Sequence, residues 1–212
     1  MPDATSDIPK LPRTFFRREP VALAKSLLGQ RLVRTLDDGT RLAGLIVETE
    51  AYLGIPDLAA HTARGRRTPR NESMWGDAGH AYVYFTYGMH HCFNVVAGKP
   101  DHPVAVLIRA LEPTEGLDAM HARRATPRSR ARRDTDLCSG PGKLCQALAI
   151  TRDLDGVDLT KDSRLHLERV RHRRYPDSSI VTTTRVGVAY AGEWADKPLR
   201  FYVKGNPNIS KA

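Results

Sequence analysis

One run of apolar residues contains a charge that an apolar strand cannot leave unpaired. PVAVLIRAL at 103–111 is almost continuously apolar, the pattern of a central strand covered on both faces, yet it includes Arg109. A buried guanidinium has to be paired. Arg109 therefore belongs either to a functional cluster or to a structural bridge with Glu48 or Glu112. A second stretch, RLAGLIVETEAY at 41–52, reads as a long strand. Its period of two puts Glu48, Glu50 and Tyr52 on one face and Val47, Thr49 and Ala51 on the other. Two carboxylates at i and i+2 are either an acid/base pair or alternating charges on a solvated face.

The remaining elements place these two strands in a mixed α+β fold. LVRT at 32–35 and the turn DDGT at 37–40 lead into the long strand as a hairpin, with Asp38 and Gly39 suited to positive φ. EPVALAKSLLG at 19–29 reads as a helix with Pro20 near its start and Gly29 after its end. AYVYFTY at 81–87, Gly88 and HHCFNVVAG at 90–98 form a second hairpin with an aromatic tip. TEGLDAMHARR at 114–124 reads as a helix capped by Thr114, and SGPGKLCQALAI at 139–150 as one capped by Ser139. Short strands alternate with Pro- and Gly-rich turns in the last third. The expected architecture is one compact domain over 13–207, with a mostly antiparallel sheet, surrounding helices and a protruding hairpin. Residues 1–12 read as a loose tail. The long irregular connection over 53–80 marks a functional loop.

Composition narrows the partner. The net charge is +9, from 25 Arg and 8 Lys against 24 acids, and favours a polyanion, nucleic acid ahead of an anionic membrane. RRATPRSRARR at 123–133 carries six Arg and no acid, which suggests an exposed, mobile loop that scans DNA non-specifically. Three cysteines argue against a disulfide scaffold and for a reducing compartment. No apolar run approaches the roughly 18 residues of a membrane span, and no signal pattern opens the chain. A cytoplasmic, nucleoid-associated protein is expected.

Several chemistries fail on spacing. Cys138 and Cys145 lie seven apart, which is not zinc-finger spacing. In HHC at 90–92 strand neighbours point to opposite faces, so at most His90 and Cys92 converge. The paired motifs of zinc deaminases are absent. SGPGKL at 139–144 offers Ser139, Gly140 and Lys143 as a phosphate contact but fails as a Walker A loop. Neither a metal nor a cofactor is expected. Lys143 also has the chemistry of a Schiff-base nucleophile.

Five stretches, VETEAY at 47–52, AAH at 59–61, YVYFTYGMHHCFN at 82–94, IRALEP at 108–113 and SGPGKL at 139–144, resemble the alkyladenine (3-methyladenine) DNA glycosylase family in their order and spacing. The resemblance runs from about Phe15 to about Asn206. It implies a monofunctional enzyme, monomeric on duplex DNA, that flips a damaged purine from the stack and hydrolyses its N-glycosidic bond. It implies that Glu50 activates water and that Arg109 orients phosphate and water beside it. Tyr52, His61 and Tyr84 would sandwich the base, and Asn94 would reject guanine. Tyr87 would fill the vacated stack with help from Met89, and Lys143 would contact a phosphate. Tyr82 reads as plain strand packing. Three rivals stand beside this reading. One is a non-catalytic nucleic-acid-binding module. Another is a bifunctional glycosylase/lyase using Lys143. The third is a formyl-transfer or RNA-modifying enzyme on a related fold.

Overall fold

The strand carrying Arg109, expected to be central, does lie inside the sheet, with the strand carrying Glu48 and Glu50 beside it. A computed structural model describes residues 8–125, 131 and 133–211. Its strands are β1 (Arg31–Thr35), β2 (Arg41–Tyr52), β3 (Ala81–Thr86), β4 (His90–Ala97), β5 (Val104–Glu115), β6 (Leu165–Glu168), β7 (Ile180–Thr183) and β8 (Arg200–Val203). The order is β3-β4-β5-β2-β1-β6, with β8 joining β2 to β7, and every pairing is antiparallel. Val106, Ile108 and Leu111 of β5 are fully buried and meet Phe93 and Val95 of β4 in the main core. Four helices, α1 (Arg13–Phe16), α2 (Pro20–Leu27), α3 (Leu117–Arg124) and α4 (Pro141–Ala147), accompany the sheet. Leu23 and Leu27 of α2 and Leu144 of α4 enter the same core. Each such side chain contributes about 1.5–3 kcal/mol by leaving water. The expected α+β architecture is the one observed.

β2 changes partner along its length. Its first half pairs with β1, and Glu48–Glu50 pair with β8. Against β5 the register slips at this same handover: Ile46 faces Leu111, Glu48 faces Ala110 and Thr49 faces Ile108. Val47 is the extra residue on one strand and Arg109 the extra residue on the other. The two irregularities cancel, so pairing resumes in register on both sides. Bulges of this kind re-aim a side chain without ending the sheet.

Several local expectations change. The helix expected from Thr114 begins later, because β5 continues through Glu115 and Gly116 takes the N-cap at φ 75°. A Cβ on Gly116 would lie 2.6 Å from the Arg41 carbonyl oxygen. Ser139 is likewise not the cap of its helix. It forms a bridge with Ala110, and Gly140 is the N-cap, followed by Pro141 in the first turn. In the DDGT turn Gly39 takes φ 83°, whereas Asp38 instead accepts the Thr40 N–H at 2.8 Å. The stretch read as a tail is anchored at its end: Leu11 is buried and donates its N–H to the Leu167 carbonyl at 2.8 Å. Of the Arg-rich stretch, Arg128, Arg130 and Arg132 lie outside the described residues. No helix among the described residues is long and apolar enough to cross a membrane.

Candidate active site

Both carboxylates of VETEAY are completely buried, which rules out a solvated face. Glu48 accepts from Arg109 Nε at 3.1 Å and from Arg200 Nη1 at 2.9 Å. Its second oxygen accepts the Ser210 N–H at 2.6 Å. Glu50 accepts the Tyr52 hydroxyl at 2.9 Å and the Val186 N–H at 2.8 Å, and Arg109 Nη1 lies 3.2 Å away. Arg109 therefore bridges the two acids. Burial pushes the Glu50 carboxyl above its usual range, more than Arg109, the Val186 N–H and Tyr52 pull it back. For Arg109 burial opposes the charge, but Glu50 and Glu48 outweigh it and hold the guanidinium above its ordinary value.

Tyr52 and Arg109, the two side chains that contact the buried Glu50, line a cavity of about 190 Å³. Tyr52, His61, Tyr84, Asn94 and Arg109 all line it, as does Tyr87. His61 and Tyr84 meet edge to face with centroids 4.5 Å apart. Tyr82 orients the imidazole, because its hydroxyl lies 2.7 Å from His61 Nδ1. Dehydration by the surrounding protein, and then Arg70 and Arg66, keep the pKa of His61 below its ordinary value, which favours the neutral ring. Asn94 is buried and donates its Nδ2 to the Tyr82 carbonyl at 3.0 Å, which fixes which way the amide points.

The long loop is built to present His61. Asp57 accepts the backbone N–H groups of Leu53 and Ala59, each at 3.0 Å, and pairs in bidentate fashion with Arg185 at 2.6 and 2.9 Å. The Arg185 guanidinium lies 4.7 Å from the centroid of the Tyr52 ring. Asn71 Nδ2 donates to the His61 carbonyl at 3.0 Å. One buried ion pair thus braces the loop, the aromatic wall and the segment that supplies Val186.

At the hairpin tip Tyr87 and Gly88 take φ 51° and 65°, and the Met89 N–H donates to the Thr86 carbonyl at 3.2 Å. This tight turn leaves Tyr87 84% and Met89 68% exposed.

Residues 14–207 match the family described as Methylpurine-DNA glycosylase (MPG). The chain belongs to the methylpurine-DNA glycosylase family. It is 51% identical over 200 residues to the human DNA-3-methyladenine glycosylase, covering 92% of the chain and 66% of that protein. The corresponding mouse protein is 49% identical, with 92% of the chain matched to 60% of its length. A putative 3-methyladenine DNA glycosylase of Methanocella arvoryzae is 47% identical, covering 96% of the chain and 97% of its own length. The chain thus spans less than two thirds of these mammalian relatives and nearly all of the archaeal one.

Within this methylpurine-DNA glycosylase fold the expected residues divide into two groups. Arg109, Tyr52, His61, Tyr84, Asn94 and Tyr87 come together at one cavity, with Glu50 fully buried behind Tyr52 and Arg109. Met89, Ser139, Gly140 and Lys143 do not line it, although Pro141 does. Lys143 donates to the Ser139 hydroxyl at 3.1 Å on the surface. Glu112 does not take Arg109; it accepts Asn206 Nδ2 at 2.8 Å. Among the described residues no three His, Cys, Asp or Glu side chains gather as a metal site. The sequence reading missed Tyr82, Asp57, Arg185, Val186 and Arg200. Arg200 carried the same signal as Arg109, a lone charge in the apolar run LRFYV. Val186 contributes a backbone N–H and leaves no side-chain signal.

Proposed function

We propose that the protein is a monofunctional DNA glycosylase that flips alkylated purines out of duplex DNA and hydrolyses their N-glycosidic bond. The observation that carries this reading is the placement of Glu50, a buried carboxylate beside an aromatic-lined cavity, in a chain of the methylpurine-DNA glycosylase family. Glu50 takes a proton from a water molecule whose oxygen bonds to C1′. The C1′–N bond breaks, and the base leaves with the electron pair. The same carboxylate stabilises the oxocarbenium-like transition state, and Arg109 orients water and the neighbouring phosphate. A base alkylated at N3 or N7 is already cationic and leaves without an acid. A neutral lesion needs a proton at N7.

Substrates of this class are 3-methyladenine and 7-methylguanine, with hypoxanthine and 1,N6-ethenoadenine as neutral members. Tyr52 packs one face of the base, His61 and Tyr84 the other, and stacking favours electron-poor rings. Asn94 opposes the guanine amino group, leaving it with an unmet hydrogen bond. Tyr87 fills the gap left in the stack, with Met89 against the groove. Ser139, Gly140 and Lys143 meet the backbone phosphate. The protein works as a monomer in the cytoplasm. The lyase alternative has no support in the geometry, since Lys143 is outside the cavity.

Single-turnover release from duplexes carrying each of the four lesions tests this reading. Wild type releases at least one base and Glu50→Gln releases none. Tight binding without release by wild type refutes the glycosylase reading in favour of a binding module.

A further inference from the structure

The charged cluster under the cavity has a member that lies beyond the matched family stretch, which ends at residue 207. Arg109 has three nitrogen positions, and each meets a different partner. Nε faces Glu48 at 3.1 Å, Nη1 faces Glu50 at 3.2 Å and Nη2 donates to the Ser210 hydroxyl at 3.1 Å. That hydroxyl donates in turn to Glu48 Oε1 at 2.9 Å, while the Ser210 N–H holds Oε2. Beside it, the Lys211 carbonyl accepts Arg200 Nη1 at 2.7 Å. The segment is thus tied to both arginines and to the deeper acid.

We propose that Ser210 is a positioning residue for the reaction: its hydroxyl anchors the far end of the Arg109 guanidinium and so keeps the near end on Glu50. The proposal rests on the assignment of Glu50 as the water-activating group. Without Ser210 the guanidinium keeps Glu48 on Nε and Glu50 on Nη1, but Nη2 loses its partner and the plane can pivot about the Nε contact. Ser210 supplies that further fixed point. It touches neither the cavity nor the Glu50 carboxylate, so it acts through Arg109.

The charge on Glu50 is set from several elements. Arg109 faces it from β5, Glu48 and Tyr52 from β2, and Tyr84 and Cys92 from the hairpin. Arg185 and Tyr190 face it from the later loop. Of these, Arg109 is the strongest influence toward ionisation. Loosening it leaves burial less opposed, so Glu50 ionises at higher pH.

The test compares wild type, Ser210→Ala and Ser210→Thr. Single-turnover base release is followed against pH, alongside duplex affinity. The expected result for Ser210→Ala is an acid limb moved up by about half to one pH unit and a rate lower by about three- to tenfold below it, with affinity unchanged. Ser210→Thr keeps a hydroxyl and restores the wild-type limb. NMR of ¹³C-labelled glutamate, with Glu50 assigned by its loss in Glu50→Gln, reads the same titration without any reaction. An unmoved Glu50 titration in Ser210→Ala overturns the proposal, as does a loss of duplex affinity with the limb in place. If wild type releases no base, the glycosylase reading falls, and the NMR comparison still decides whether Ser210 controls Glu50.

Discussion

The Tyr52 hydroxyl donates to Glu50 at 2.9 Å while Arg185 lies 4.7 Å from the centroid of the same ring, so one side chain links the buried acid to the brace behind it. Tyr52→Phe keeps the ring and removes the donor. It should slow single-turnover release by about tenfold and leave duplex affinity within about twofold. An unchanged rate would assign Tyr52 to stacking alone.

Glu50 is held above its ordinary carboxyl value, so its linkage to stability has a definite sign. Below the ordinary value of 4.5 the group is protonated whether the chain is folded or not. As pH rises through the folded value, the folded state must ionise a buried acid and loses stability relative to the unfolded chain. Glu50→Gln escapes this loss. Urea unfolding should find the variant more stable than wild type at pH 8, with the advantage gone near pH 4. A constant difference across that range would contradict the raised value.

Arg185 and Asp57 are both fully buried and pair at 2.6 Å. Arg185→Met leaves a lone carboxylate inside and should cost about 3–5 kcal/mol in denaturant unfolding. Pairing it with Asp57→Asn should recover part of that. If the double variant is no better than the single, the ion pair is not the source of the loss.

Tyr87 combines a strained backbone with the most exposed large apolar side chain among the described residues. Tyr87→Gly relieves a left-handed φ, which costs a residue with a Cβ about 1 kcal/mol, and removes the wedge. Thermal melting should show no loss of stability, while base release falls by at least tenfold. A variant that still excises at the wild-type rate would remove Tyr87 from the flipping step.

Lys143 is a phosphate contact in the proposed function, and its nearest partner in the free protein is the neutral Ser139 hydroxyl. Lys143→Ala should weaken binding to damaged and undamaged duplex alike and lower the salt slope of binding by about one. An unchanged slope would place Lys143 away from the DNA backbone.

Periodicity and apolar runs were enough to find both central strands, the hairpin and Pro20 at a helix start, because strand and helix periods are local. The charges in those strands marked Glu48, Glu50 and Arg109 for the same reason, but only the resemblance to the glycosylase family chose Glu50 between the two acids. The caps were misread because Thr114 and Ser139 are good cap residues already engaged in β structure. A residue cannot be extended and cap a helix in the same place, and only tertiary pairing decides which it does. Tyr82 looked like ordinary strand packing, and its role depends on His61, 21 residues earlier in the chain. Glu48 and Glu50 left open whether their face was wet or dry. That depended on β8 and on the segment around Val186, which no local pattern in VETEAY reveals.

The partner change in β2 has a consequence for the order in which the acid cluster can be assembled. Glu48, Glu50 and Arg109 come from the first 109 residues, but Val186, Arg200 and Ser210 complete their coordination. A nascent chain that has emerged only as far as β6 would place two acids against one guanidinium, with no strand beside Glu48–Glu50. On the proposed function, base release then waits on nearly complete synthesis, and a half-made chain that met a chromosome would leave its bases in place.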